Sequence, residues 1–268
     1  MDRILVVIPC YNCERQIVRV LRQFRDVPAG TFQEVLVVDN RSSDATISVA
    51  TASLPLLGAL PATVVRNGEN YGLGGSHKAA FEYATRESFS HVVVLHGDDQ
   101  GRIDDLLPIL AAGDHRHFAA CLGARFMRGS RLLGYSRLRR FGNRVFNALF
   151  SAAVAHPVHD LGSGLNIFAA SVFANREWQG FPDDLRFNVY LLLSLYDRRM
   201  KISYFPISWR EDDQVSNVRM FSQALRTLAA AGEYVFRRKR VRSGEHRSSP
   251  RASYPFEVVA EHAGEPLA

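Results

Sequence analysis

His91-Val92-Val93-Val94-Leu95 runs straight into His96-Gly97-Asp98-Asp99-Gln100. The apolar run Val92 to Leu95, rich in β-branched residues, reads as a short buried strand. An acidic cluster at the carboxyl end of such a strand stands where open α/β sheets bind their ligands. Asp and Gln offer hard oxygen ligands that suit Mg²⁺ or Mn²⁺. The same letters also read as an Asp-rich loop capping a helix that begins near Arg102 or Ile103.

Upstream, the chain alternates strand and helix signals. Ile4-Leu5-Val6-Val7-Ile8 is a buried strand ended by Pro9, and Ile17, Val20, Leu21 and Phe24 follow at helical spacing. Val35 to Val38 and Ala62 to Val65 are two further strands, and Leu73 to Glu87 is a helix. Such alternation predicts an α/β fold with a mainly parallel central sheet and helices on both faces. Downstream the pattern loosens. Strands are expected at Ala119 to Gly123, Leu165 to Ala169 and Lys201 to Ser208, and helices at Leu138 to Ala153, Asp184 to Arg198 and Ser216 to Phe236. There is no internal repeat. The sequence divides into a main domain over 1–220, a C-terminal helix over 221–236, and a basic tail over 237–268 read as disordered or loosely docked.

At 268 residues with 47% apolar content the chain can fill a large core. No stretch approaches the ~20 apolar residues that span a bilayer. Met1-Asp2-Arg3 leads directly into a strand without a signal-peptide layout, so a cytoplasmic location is expected. Cys10, Cys13 and Cys121 make no disulfide framework. The Cys10-x-x-Cys13 pair lacks a second pair at zinc-finger spacing and reads as small loop residues.

The net charge of +6 is segregated. Arg237 to Arg251 holds seven Arg or Lys against Glu245 alone, and between Asp114 and Asp160 eight arginines occur with no acid. Two basic zones on a neutral body point to anionic partners such as phosphates or the inner face of a membrane. Plain solvated arginines would look the same. No aromatic-interleaved or helix-turn-helix pattern points to nucleic acid.

The strand ends carry the chemistry. The first strand runs into Pro9-Cys10-Tyr11-Asn12 with Glu14 beyond, and the second into Asp39-Asn40-x-Ser42-x-Asp44-x-Thr46. In a parallel sheet both loops emerge at the edge that carries Asp98. A Tyr ring can stack on a base, and Asp can accept from a base N–H or a ribose hydroxyl. Asp39 and Asp44 could equally cap the next helix. Asn70-Tyr71-Gly72-Leu73-Gly74-Gly75-Ser76 precedes a helix as phosphate-cradling turns do, although no Walker loop or GxGxxG is present.

Taken in order, Val7-Ile8-Pro9-x-Tyr11-Asn12, Val37-Val38-Asp39-Asn40-x-Ser42-x-Asp44-x-Thr46, the Asn70 loop and Asp98-x-Gln100 resemble glycosyltransferase family 2. These are inverting, nucleotide-sugar-dependent transferases of GT-A fold, and the resemblance covers roughly residues 1–220. It looks closest to the dolichol-phosphate mannosyltransferase-like branch through Gly123-Ala124-Arg125, Ser136-Arg137-x-x-Arg140, Asp160-x-x-Ser163-Gly164 and Trp209-Arg210 with Ser216. The resemblance implies that Pro9, Tyr11, Asn12, Glu14, Asp39 and Asn40 line a nucleotide pocket, joined by Gly72 and Lys78. It implies a divalent cation on Asp98, with Gln100 beside it. Arg125 would reach phosphate oxygens, and Asp160 would be the acid beside the reacting sugar carbon, unless it is a turn residue. Arg137, Arg140, Ser163 and Gly164 would shape the acceptor side.

Four departures stand out. His96 replaces the first acid of the usual Asp-x-Asp, Asn40 the second acid of the usual Asp-Asp pair, and Asn166 an arginine common in the polyprenol branch. The ending Trp209-Arg210-Glu211-Asp212-Asp213-Gln214-Val215-Ser216 also differs from that branch. His77 and Lys78 read by position as solvent-facing, His156 and His159 as flanking a loop, and Glu211, Asp212 and Asp213 as a solvated loop. Three functions fit: hexose transfer from a GDP- or UDP-sugar to a polyprenyl-phosphate-type lipid, transfer to a sugar hydroxyl by a soluble enzyme, or nucleotide-sugar binding without catalysis.

Overall fold

A computed structural model describes residues 2–211 and 220–264. The elements in chain order are β1 (Ile4–Cys10), α1 (Ile17–Arg22), β2 (Glu34–Asp39), α2 (Thr46–Ser53), β3 (Ala62–Asn67), α3 (Gly72–Arg86), β4 (His91–Leu95) and α4 (Leu107–Ala112). Then follow β5 (Ala120–Ala124), β6 (Arg131–Leu133), α5 (Arg137–Val154), β7 (Leu165–Ala169), α6 (Phe187–Asp197), β8 (Ile202–Pro206), β9 (Ser208–Arg210), α7 (Met220–Ser243) and β10 (Phe256–His262). Asp212, Asp213 and Ser216 lie outside the described residues.

Eight strands form one sheet in the order β10-β3-β2-β1-β4-β7-β5-β8. The stretch β3-β2-β1-β4 is parallel, whereas β7 runs antiparallel to β4 and β5. The continuous apolar runs of β1 and β4 follow from burial on both faces. Leu5, Val7, Val92 and Val94 point into one layer with Phe81 of α3, Phe150 of α5, Phe187 of α6 and Ala231 of α7. Val6, Ile8, Val93 and Leu95 point into the other, against Ile17 and Leu21 of α1 and Ala50 of α2. Each large side chain so buried contributes roughly 1.5–3 kcal/mol relative to exposure. Among the described residues, no helix is long and apolar enough to cross a membrane.

Two expectations change. The arginine-rich segment before α5 contains a strand, because β6 pairs in parallel with β9 in a small second sheet. The tail is ordered over residues 237–264. Helix α7 continues to Ser243 across a kink at Arg237 (φ −143°, ψ 48°), and β10 adds antiparallel to the edge of β3. Buried Val241 and Tyr254 anchor this segment in the protein. The Ser/Arg composition of 243–251 hid those anchors.

Candidate active site

The strand order reverses direction about β1, with β2 on one side and β4 on the other. That is the switch point where open α/β sheets bind ligands. A cleft of about 740 Å³ opens there, lined by Pro9 to Gln16, Asn40, Asp44, Asn70, Gly72, Leu73, Ser76, His96 to Asp98, Asp184 and Leu185.

The loops after β1 and β2 are laced together. Asn12 adopts φ 52°; its N–H donates to Ser42 Oγ at 2.9 Å and its Oδ1 accepts from the Ser43 N–H at 2.8 Å. Glu14 accepts from the Ala45 N–H at 2.9 Å, while Asp44 accepts from the Glu14 N–H at 3.2 Å and from Thr46. Tyr11 is 50% exposed and offers its ring to the cleft. Asp39 is buried instead, accepting from the Ser42 N–H at 3.2 Å with Arg66 Nε 3.5 Å away.

Asn40 explains its own departure from the family's acid. Its Nδ2 donates to Asn70 Oδ1 at 2.8 Å, and its Oδ1 accepts from Asn67 and from the Tyr71 N–H. A carboxylate could not donate to Asn70. The glycines of the Asn70 loop make room for protein. Gly72 has φ 72°, and a Cβ there would lie 2.5 Å from the Asp183 carbonyl, to which the Gly74 N–H donates at 2.7 Å. Close packing on residues 182–184 accounts for Gly72 and Gly74, and packing on Tyr71 and Tyr254 for Gly75, without a phosphate cradle.

The two aspartates after β4 separate. Asp98 lines the cleft and accepts from the Gln100 N–H at 3.2 Å. Asp99 takes φ 58° and turns inward, where it accepts from Arg19 at 2.6 Å, Arg210 at 2.5 Å and Gln23 at 3.1 Å. Gln100 does not line the cleft, and its carbonyl accepts from the Arg210 N–H at 3.0 Å. The loop thus holds β9 and α1 to β4 and presents one carboxylate outward.

His96 lines the cleft with its ring against Gly164, where a Cβ would lie 3.0 Å from His96 Cγ. Its Nε2 is shut off from solvent and has no hydrogen-bond partner among the described residues. Burial, then the Arg125 charge, push its pKa down to about 4. His77 lies beside it, ring centroids 5.9 Å apart, and is buried rather than solvent-facing. Burial, aided by His96, pushes its pKa to about 3, and its Nδ1 sits 2.8 Å from the Leu73 carbonyl. Both imidazoles are neutral near pH 7.

Arg125 and Asp160 are brought together, but onto each other. Arg125 Nε and Nη2 donate to the two Asp160 oxygens at 2.8 Å each, and the Arg125 N–H adds a third bond at 2.9 Å. Burial opposes the Arg125 charge, yet the Asp160 carboxylate outweighs it and holds the arginine above its ordinary pKa. Trp209 lies under the guanidinium at 4.9 Å. The pair stands behind His96, outside the residues that line the cleft.

Several expected site residues serve the fold. Lys78 is fully buried, its Nζ donating to the Phe181 carbonyl at 2.5 Å, Asp183 at 2.7 Å and Tyr254 at 3.1 Å; burial lowers its pKa to about 8 against the pull of Asp183. It faces away from the cleft because α3 presents it to the 181–183 segment. Ser163 is buried and donates to the Leu165 carbonyl at 3.0 Å. Gly164 is the floor under His96. Arg140 donates to the Leu132 carbonyl at 3.1 Å, and Arg137 is exposed at the start of α5. Glu211 is no solvated loop residue, since it pairs with Arg139. Asp184 and Leu185 reach the cleft without any cue in their local sequence. Asp184 is held there by Arg186 at 2.8 Å.

A second cluster of metal-capable groups, Asp2, His91 and His115, has its ligand atoms within 4.8 Å of one another. It stands at the amino ends of β1 and β4, opposite the cleft, and Asp2 already bonds Arg116 at 2.7 Å.

Residues 5–176 match the family described as Glycosyl transferase family 2. The chain is 25% identical over 171 residues to polyprenol monophosphomannose synthase of Mycolicibacterium smegmatis, covering 64% of this chain and 63% of that one. It is 30% identical over 176 residues to glycosyltransferase AglJ of Haloferax volcanii, covering 64% and 52%. The match therefore spans less than two thirds of either relative. Among solved structures, glucosyl-3-phosphoglycerate synthase of Mycobacterium tuberculosis with phosphoglyceric acid superposes with a TM-score of 0.59 at 19% identity, covering 92% of this chain and 82% of that one. The same enzyme with Mn²⁺, uridine diphosphate and glucosyl-3-phosphoglycerate gives 0.57 at 18%, covering 98% and 90%.

Proposed function

Because the chain belongs to glycosyl transferase family 2 and has its GT-A fold, we propose that it moves a hexose from a GDP- or UDP-sugar, with inversion, onto a polyprenyl-phosphate-type lipid. The observation that carries this reading is the cleft at the β1/β4 switch point, where Tyr11, Asn12 and Glu14 face Asp98. Tyr11 offers a stacking face for the base. The loops around Asn12 and Asp44 are fixed by their mutual hydrogen bonds before any ligand arrives, which lowers the ordering cost of binding.

The donor set fits a divalent cation. Asp98 supplies a hard carboxylate oxygen, and His96 a neutral imidazole whose Nε2 has no other partner among the described residues. An imidazole suits Mn²⁺ better than Mg²⁺. A cation held there would supply Lewis-acid stabilisation to the leaving diphosphate.

The state of Asp160 favours the lipid phosphate over a sugar hydroxyl. A hydroxyl acceptor must lose a proton to a base, and Asp160 could take it only by releasing Arg125. A phosphate acceptor is already ionised. On this reading the Arg125–Asp160 pair is a positioning device that fixes the wall behind His96, and Asp160→Asn weakens transfer without abolishing it.

A thermal-shift panel of GDP, UDP and their sugars, with and without Mn²⁺, tests the donor side. A nucleotide at a hundredfold excess over its Kd adds ~2.7 kcal/mol of stability. Asp98→Asn should remove the Mn²⁺-dependent part and keep the rest. The absence of any shift would overturn the transferase reading. Tight nucleotide binding, with donor hydrolysis at background in both metals, would indicate a binding protein without catalysis.

A further inference from the structure

Among the described residues, helix α5 leaves a row of large apolar side chains without protein cover. Leu138, Phe141, Val145 and Leu149 stand at i, i+3, i+7 and i+11, which is one face of an α-helix. They are 80%, 67%, 41% and 47% exposed. The opposite face attaches the helix, through buried Asn147, Phe150 and Val154. Single exposed apolar residues need no explanation, but a contiguous row on one helix does.

The charge beside the row is one-sided. Arg137 and Arg144 are exposed next to Phe141 around the helix, and no acid occurs in the sequence between Asp114 and Asp160. Glu211, which approaches from the β9 side, is committed to Arg139. An apolar row edged by arginines is the pattern of a helix that lies in the plane of a bilayer surface. A second copy of the chain would fit worse, because its α5 brings the same uncompensated arginines against Arg137 and Arg144.

We infer that α5 docks the protein on an anionic bilayer, with Leu138, Phe141, Val145 and Leu149 entering the boundary between headgroups and acyl chains and Arg144 against lipid phosphates. The inference rests on the lipid-acceptor reading for its purpose, since it puts the transferase where a lipid phosphate is presented. Its observations are independent of that reading.

The test is co-sedimentation of the full chain with vesicles of phosphatidylcholine alone or with added phosphatidylglycerol. The chain should pellet with the anionic vesicles at low salt and be released at high salt. Phe141→Ser combined with Leu149→Ser should lower partitioning at least tenfold. Arg144→Gln should lower it roughly fivefold on anionic vesicles only. The Phe141/Leu149 variant should keep both its melting temperature and the stabilisation by nucleotide with Mn²⁺, which reads the donor site separately. Three results would overturn the inference: no binding to anionic vesicles, binding indifferent to the α5 substitutions, or α5 substitutions that only convert a dimer to a monomer. Any of these, with the nucleotide shift intact, leaves the transferase reading standing.

Discussion

The four arginines of α5 and the six from Arg237 to Arg251 differ in their surroundings. In the later segment four of the six, Arg240, Arg242, Arg247 and Arg251, meet acids. Arg240 meets Glu233 at 3.0 Å, Arg242 meets Asp197 at 2.9 Å and Glu177 at 3.2 Å, Arg247 meets Glu245 at 2.5 Å, and Arg251 pairs with Glu69 while lying 4.8 Å over the Tyr71 ring. On α5 only Arg139 is paired with an acid among the described residues. Half-exposed ion pairs contribute about 0–1 kcal/mol each, so the pairs alone do not hold the tail. Tyr254 against Tyr71, the Tyr254 hydroxyl on Lys78, and the β10 ladder on β3 do more. In both, apolar anchors order a basic stretch. Its charges then decide what it faces.

Removing residues 245–268 should break that contrast most severely. It strips β10 from the sheet edge, takes Tyr254 from buried Lys78, and frees the Asn70 loop at the cleft. A loss above about 5 kcal/mol is expected, which is a large part of a domain's stability. A denaturation midpoint unchanged by the truncation would show the tail to be ornamental.

Arg125 sharpens the comparison, since it lies in the acid-free stretch yet is buried and paired. Arg125→Ala leaves the Asp160 carboxylate buried alone and should cost about 3–5 kcal/mol. If chemical denaturation finds a cost near that of an exposed α5 arginine, the pair is not the anchor described above.

The cleft wall offers a third case, bases kept uncharged. The unfolded chain protonates His77 and His96 near pH 6.5, whereas the folded chain resists until about 3 and about 4. The unfolded state therefore binds more protons below pH 6.5, so stability present above that pH is lost as pH falls. Each site contributes a slope of up to about 1.4 kcal/mol per pH unit. With His96 only partly covered, the two together should cost roughly 2 kcal/mol between pH 6 and pH 5. Urea denaturation at the two pH values measures it; half the loss would mean that one ring takes up its proton in the fold, and a flat profile that both do.

The smallest effect belongs to the uncovered row. Phe141→Ser with Leu149→Ser should change stability by less than about 0.5 kcal/mol at each site. A larger loss would show that protein, not a surface outside it, covers that face.

Much of the cleft was legible locally. The loops after β1, β2 and β4 follow strands whose apolar runs declare themselves, so Tyr11, Asn12, Glu14, Asn40, Gly72 and Asp98 fall together as their positions predict. The misread residues are those whose partners lie far along the chain. Lys78 finds Asp183 across 105 residues, and Glu211 finds Arg139 across 72. Arg125, placed on phosphate oxygens by resemblance, and Asp160, placed beside the reacting sugar carbon, are 35 residues apart and bond to each other.

By itself the sequence determined the β1–β4 sheet, the family and the edge that carries the cleft. Those depend on strand periodicity and on turns of a few residues, where each residue's neighbours are known. Only the tertiary structure decided that Asp99 is tied to Arg19 and Arg210, that Asp160 is held by an arginine, and that one basic zone is tied down while α5 keeps an apolar face open among the described residues. A side chain's charge state and partner are set by burial and by groups brought from distant segments, and these exist only once the sheet has closed over its helices.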